Sequence, residues 1–386
     1  MTTGPLAGVR IIDLSQVIAG PYGPALLADS GAEVIKVETL QGEIGRSLAG
    51  SFLSLNRGKR SIPLNLQTDA GKDVLYRLAK WADVLVENFR PGVVQRLKAD
   101  YETLSELNPR LIYASVTAFG AGGPYAHRPG FDPLLQAMTG TERAQGGRDN
   151  PPVFLRIAIT DYVTAMTQAA ALTMALYDRE RTGRGCHIHT SLLRNGLFIN
   201  AEAFTSYPGR PERALLDAGQ HGLGPLDRMY RTNDGWLFVF AEETFDALAH
   251  VTGLQPNKRF ENAQDGSANA GALASELALA FAGDSTDVWL SRLEAAGVPC
   301  APVIEHYQTS FFEDVQPMVN GYSVAFDHVE RGHVEHTGNF IKYSASTTSR
   351  EAVASPLLGQ HTDEILAELG YDADEVTKLR SDGVIL

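Results

Sequence analysis

The chain has 386 residues, 44% apolar and 20% charged, the balance of a globular protein with room for two domains. Its formal net charge of −13 argues against nucleic acid or an anionic membrane as partner of the whole surface, while leaving room for a local basic pocket for a phosphorylated ligand. No apolar run approaches the roughly 20 residues that span a bilayer, and the start MTTGPLAGVRIIDL lacks the basic head and apolar stretch of a secretion signal, so a cytoplasmic location is expected. Cys186 and Cys300 lie far apart without a CxxC pair and read as ordinary thiols. The histidines show no HxxxH or HExxH spacing, and no metal is expected.

In chain order, VRIIDL (9–14) is a compact apolar run and GPYGPALLADSG (20–31) reads as a turn, a short helix and a glycine stop. AEVIKVE (32–38) is a second strand, followed by RSIPLNL (60–66), the helix TDAGKDVLYRLAKWA (68–82), DVLVENF (83–89) and LIYASVTAFG (111–120). Buried strands separated by helices predict an α/β fold with a parallel, Rossmann-like sheet flanked by helices. The longest helical signal follows Asp161 and stops at Gly183, and GCHIHTSLL (185–193) is the next strand. Beyond about residue 200 the texture changes to a Gly- and Pro-rich connection. A DG hairpin (230–241) and helical patterns near 243–252 and 271–297 come next. These changes predict a large domain over 1–200, a smaller inserted α+β domain over 201–325, and a return to the large domain over 326–386.

Three features bear on chemistry. The strand–glycine turn–helix–strand start with Glu38 mimics a dinucleotide site, but the turn AGPYGP lacks GxGxxG, which argues against NAD. Arg57, Lys59 and Arg60 concentrate positive charge, with Arg90, Arg96 and Arg128 beside later turns. Singly these are solvated surface groups; together they suit a polyphosphate, whose oxygens match guanidinium forks. Asp161 stands at a helix start, where it either caps the helix or acts chemically; helix-start electrostatics would favour its ionised form.

The segments LAGVRIIDLSQVIAGPYGPALLADSGAEVIKVE, NRGKRSIPLNLQTDAGK, ADVLVENFRPGV, LNPRLIYASVTAFG, YDRERTGRG and LGQHTDEILAELGY occur in this order. Together they resemble the class III coenzyme A transferases, a family that includes formyl-CoA transferase, carnitine CoA-transferase and α-methylacyl-CoA racemase. The resemblance is weakest between about 205 and 330. It implies a Rossmann-like large domain built from both chain ends, an inserted small domain, and an interlocked homodimer.

By this resemblance Asp161, ahead of a helix ending in RERTGRG, matches the nucleophilic aspartate. Coenzyme A, part of the substrate and not a tightly bound cofactor, is expected along Val17, Ile18 and Ala19, around Leu64, Leu66 and Gln67, and beside Asn88, Phe89, Arg90 and Arg96. Arg128 and the segment PGFD (129–132) are expected near its pantetheine or phosphates. Thr39 departs from members that carry a basic residue there. Gly222 and Gly224, in GQHGLGPL, match a glycine loop that covers the aspartate in family transferases, or belong to an ordinary linker.

The racemase branch has Gly-His-Asp where this chain has Gly130, Phe131 and Asp132, and phenylalanine carries no proton. The expected reaction is therefore CoA transfer from an acyl-CoA to a carboxylic acid, through an aspartyl anhydride and an aspartyl-CoA thioester, with backbone N–H groups at the helix start stabilising the oxyanions. The alternatives are a 2-methylacyl-CoA racemase, with Glu242 or Glu243 as accessory acid, and a catalytically silent CoA-binding protein.

Overall fold

Alternation along the first strands decides the main architecture. In the computed structural model, which describes residues 4–48, 50–254, 269–346 and 353–386, β1 (Arg10–Asp13), β2 (Glu33–Glu38), β3 (Lys59–Pro63), β4 (Val84–Glu87), β5 (Ile112–Thr117) and β6 (His187–Ser191) form one sheet. Their order is β3-β2-β1-β4-β5-β6 and every pairing is parallel. Ile11 lies beside Val34 and Val84, and Val84 beside Ile112; all four point to one face. There they meet Leu27 and Ala28 of the Tyr22–Asp29 helix and Ala169, Leu172 and Leu176 of the Ile159–Thr182 helix. Ile12, Ile35, Leu85 and Tyr113, each one residue on, point the other way. They pack on Val74, Leu75 and Leu78 of the Asp69–Trp81 helix and on the C-terminal helices Thr362–Glu368 and Ala373–Ser381.

The chain divides into two compact units. The first, holding this sheet, comprises Met1–Thr139, Arg156–Ala201 and Asp314–Leu386. The second comprises Gly140–Leu155 and Glu202–Glu313. The division at Ala201 and Glu202 lies within one residue of the expected boundary, whereas residues 140–155 join the second unit and 314–325 the first, which also holds the hairpin of Ser323–His328 and Gly332–Thr337.

The second unit contains a four-stranded antiparallel sheet. In sequence its strands are β7 (Gly222–Gly224), β8 (Asp227–Arg231), β9 (Trp236–Phe240) and β10 (Cys300–Pro302), and their spatial order is β10-β9-β8-β7. Its core joins Leu237 and Val239 to Leu248, Leu273, Leu277, Phe281, Trp289 and Leu293. The single helical pattern expected over 271–297 is two helices, Ala270–Phe281 and Thr286–Ala295. They break because Ser285 is extended and its side chain accepts from the Val288 amide, starting a new helix.

Candidate active site

In the first unit the strand order reverses beside β1, whose neighbours are β2 on one side and β4 on the other. Open parallel sheets take ligands at the carboxyl ends of the strands at such a switch point. A cavity of about 570 Å³ lies there. Its wall includes Gln16–Ala19 after β1, Asn88–Pro91 after β4, and Val116–Ala118 at the end of β5. Gly130, Phe131, Asp161, Arg90 and Arg128 complete the part that bears on chemistry.

Side chains hold this wall in place. The Gln16 amide donates to Asn88 Oδ1 at 2.8 Å, and Asn88 Nδ2 donates to the Gln16 carbonyl at 2.8 Å. Val17 has φ +70°, a strained value for a β-branched residue, and its N–H donates to Glu43 Oε2 at 3.2 Å. A Cβ on Gly20 would lie 2.3 Å from that of Ser15. One on Gly23 would lie 1.9 Å from Gln168 Oε1. These glycines answer to packing, in keeping with the absence of a dinucleotide fingerprint. Gly130 likewise lets its chain pass within contact of Ala118.

Asp161 is not the helix cap. The helix runs Ile159–Thr182 from Ala158, which has no capping side chain. The cap comes from a neighbouring helix, Asp132–Met138. Asp132 Oδ1 accepts from the Thr160 amide at 2.7 Å, from the Asp161 amide at 3.2 Å and from the Thr160 hydroxyl. Gln136 Nε2 donates to Asp132 Oδ2 and, at 2.9 Å, to the Ile157 carbonyl. The Ile159 N–H goes to the Ile157 carbonyl at 2.8 Å and the Tyr162 N–H to Ala158 at 3.0 Å. The free donors of the helix start are thus consumed.

Two expectations change accordingly. Asp161 is 9% exposed, and burial, with the Asp132 charge second, pushes its carboxyl up to about 7. Burial and Asp132 therefore govern this carboxyl, and the N–H groups of the helix start are engaged with other acceptors before any oxyanion forms. Asp132 was expected near the ligand as part of PGFD, but its role as the cap of this helix was not. Its signal was an acid directly after Phe131 in a segment already expected near the ligand.

The basic run 57–60 is structural. Arg57 is fully buried and pairs through Nε and Nη2 with Asp29. Lys59 Nζ donates to Asp13 Oδ2 and the Pro21 carbonyl, both at 2.7 Å, and to Asn56 Oδ1 at 2.8 Å. Burial would raise the Asp13 carboxyl, but Lys36 and Lys59 hold it at about 2. Arg60 pairs with Glu33, Glu364 and Glu368. These cations neutralise buried or neighbouring carboxylates and are not available to a phosphate. Arg90 and Arg128 have no carboxylate partner among the described residues, and Arg128 lies 4.1 Å from the centroid of the Tyr125 ring.

The profile of CoA-transferase family III matches residues 6–362. The chain belongs to this family. It is 33% identical to a mouse (Mus musculus) succinyl-CoA:glutarate CoA-transferase, over 99% of this chain and 90% of the relative. It is 34% identical to an Acetobacter aceti acetyl-CoA:oxalate CoA-transferase, over 92% of this chain and 94% of the relative. A solved CAIB/BAIF family protein from Brucella suis superimposes with a TM-score of 0.82 at 31% identity, covering 95% of this chain and all of the other.

For this family III enzyme, the residues expected around coenzyme A fall into two groups. Val17, Ile18, Ala19, Asn88, Phe89, Arg90 and Arg128 line the Asp161 cavity. Leu64, Leu66 and Gln67 line a second cavity of about 340 Å³ that shares Gln16 and Phe89 with the first. Thr39 is on that second wall, its hydroxyl donating to the Gly42 carbonyl at 2.8 Å. Arg96 is on the exposed side of the Val93–Leu97 helix, outside the lining of both. Gly222 and Gly224 belong to β7, where a Cβ on Gly222 would come 2.2 Å from the Asp227 carbonyl oxygen. Glu242 and Glu243 are exposed ahead of the Phe245–Thr252 helix. Cys186 is exposed and Cys300 half-buried; both are free thiols.

Proposed function

We propose that this enzyme transfers CoA from an acyl-CoA to a free carboxylic acid with Asp161 as nucleophile. The carrying observation is one carboxylate, buried and without a hydrogen-bond donor among the described residues, on the wall of the switch-point cavity. Family membership and the transferase names of its relatives support the same reading.

The ionised Asp161 oxygen attacks the thioester carbonyl, and the tetrahedral intermediate expels CoA thiolate to leave an acyl-aspartyl anhydride. The thiolate then attacks the Asp161 carbonyl carbon. The donor acid leaves as its carboxylate and an aspartyl-CoA thioester remains. An acceptor carboxylate attacks that thioester, and the two steps run in reverse. No proton is consumed overall, so the site needs an anionic aspartate and not an acid–base pair. Burial, which keeps Asp161 poorly solvated, raises its basicity and with it its nucleophilicity once ionised. Arg90 and Arg128 supply positive charge for the phosphates of CoA or a substrate carboxylate.

Phe131, 60% exposed and on the cavity wall, supports transfer over racemisation because no proton carrier occupies its place. Assembly as a homodimer is part of the proposal. It is supported by the exposed apolar stripe of Met166, Met174 and Tyr177 on the Ile159–Thr182 helix. The deciding experiment pairs acyl-CoA donors with carboxylic acids and reads new acyl-CoA by mass spectrometry. Hydroxylamine trapping under turnover should convert Asp161 to its hydroxamate. A label found only on Cys186 or Cys300 overturns the assignment.

A further inference from the structure

We propose that Asp132 is a positioning residue for the reaction: its carboxylate closes the start of the Ile159–Thr182 helix in place of Asp161, and sets a fixed negative charge behind the nucleophile.

The geometry leaves Asp132 little freedom. It is 4% exposed, one oxygen accepts from Thr160 and Asp161, and the other accepts from Gln136, which also ties down the Ile157 carbonyl. Four of these five bonds end on one short stretch, 157–161, so the segment carrying Asp161 is braced from the neighbouring helix. Asp132 therefore spends its lone pairs on the helix start, and Asp161 keeps its own for the cavity.

The groups around Asp161 are few. Asp132 comes from the Asp132–Met138 helix and Tyr162 from the nucleophile's own helix. Tyr22, on the Tyr22–Asp29 helix, meets the Tyr162 ring at 5.7 Å. The Leu192–Ile199 helix contributes only apolar Leu192 to the wall, and Arg90 and Arg128 stand elsewhere on it. Of these charges, Asp132 is the one that acts on Asp161, in the same direction as burial.

The inference rests on reading Asp161 as the nucleophile, but its test needs no turnover. A carbodiimide activates only protonated carboxyls, so the enzyme is labelled with carbodiimide and an amine across neutral pH, and the Asp161 peptide is quantified by mass spectrometry. Asp132→Asn keeps an oxygen for the Thr160 and Asp161 amides and removes the charge. Its Asp161 labelling midpoint should fall by roughly one pH unit relative to the wild type. Asp132→Ala also frees the helix-start N–H groups and should lower it further. Should Asp132→Asn fail to fold, Asp132→Ser, which keeps a short acceptor, gives the same reading. The acid limb of kcat/KM should move with the labelling midpoint. Coincident midpoints in folded variants overturn the inference and leave the transferase reading intact. A shifted midpoint in an enzyme that transfers CoA to no acid supports the inference while removing the function proposed for Asp161.

Discussion

Asn88 grips Gln16 by both ends of its amide, accepting from the Gln16 N–H and donating to the Gln16 carbonyl, each at 2.8 Å. Through this pair the loop after β4 dictates the path of the loop after β1, just before Val17 takes its left-handed backbone. Asn88→Ala removes both bonds and leaves the Gln16 groups partly unsatisfied, costing about 1–3 kcal/mol. The expected outcome is a raised KM for acyl-CoA, with kcat changed less, and a lower urea midpoint. An unchanged KM would mean that the loop keeps its path without the clamp.

Asp161→Asn should abolish transfer and leave the helix start intact, because the cap belongs to Asp132. Its effect on stability should depend on pH. Folding raises the Asp161 carboxyl from 3.8 to about 7. Between those values the folded chain holds a proton that the unfolded chain releases, so stability falls as pH rises from about 4 to 7 and levels off above. Asn carries no such dependence. Asp161→Asn should therefore gain on the wild type by on the order of 1–3 kcal/mol between acidic and weakly alkaline pH. Denaturant titrations at the two pH values check this, and parallel curves refute it.

Turnover should rise with pH through about 7, as the attacking form is the ionised Asp161. Because Glu87 is also pushed up to about 7 by burial, the limb is assigned by comparing pH profiles of kcat/KM for the wild type and Glu87→Gln. A limb that survives in Glu87→Gln belongs to Asp161.

The two kinds of arginine should behave oppositely. Arg57→Ala strips the buried Asp29 of its partner and should cost about 3–5 kcal/mol. Arg90→Ala and Arg128→Ala should leave the thermal midpoint nearly unchanged and raise the KM for acyl-CoA. Melting curves and saturation kinetics on the three variants separate the roles.

A single 2-methylacyl-CoA epimer in deuterated water should show little wash-in at its α-position. The missing proton carrier at Phe131 should lower that rate by roughly 10²–10⁴. Fast wash-in without acyl exchange, followed by NMR, would replace the transferase reading with a racemase.

The first six strands and the helices Tyr22–Asp29, Asp69–Trp81 and Ile159–Thr182 were legible in the sequence because each is a run of one period bounded by glycine or a turn, whereas the short helices between them, Asp132–Met138 among them, were not. Asp161 was legible as a helix-start carboxylate, and the ordered motifs around it made it the residue proposed as nucleophile. Its protonation was not, because that depends on burial and on Asp132, 29 positions away along the chain. Arg57, Lys59 and Arg60 looked like ligands for phosphate because a sequence shows a charge without its partner. Asp29, Asp13 and Glu368 are brought to them only by packing of the sheet and the returning C-terminal helix. The share of residues 140–155 in the second unit also escaped, since they join it through long-range contacts that leave no local pattern. Local periodicity is written residue by residue; pairing of charges, capping from a neighbouring helix and the pKa of a buried carboxyl exist only once distant segments meet.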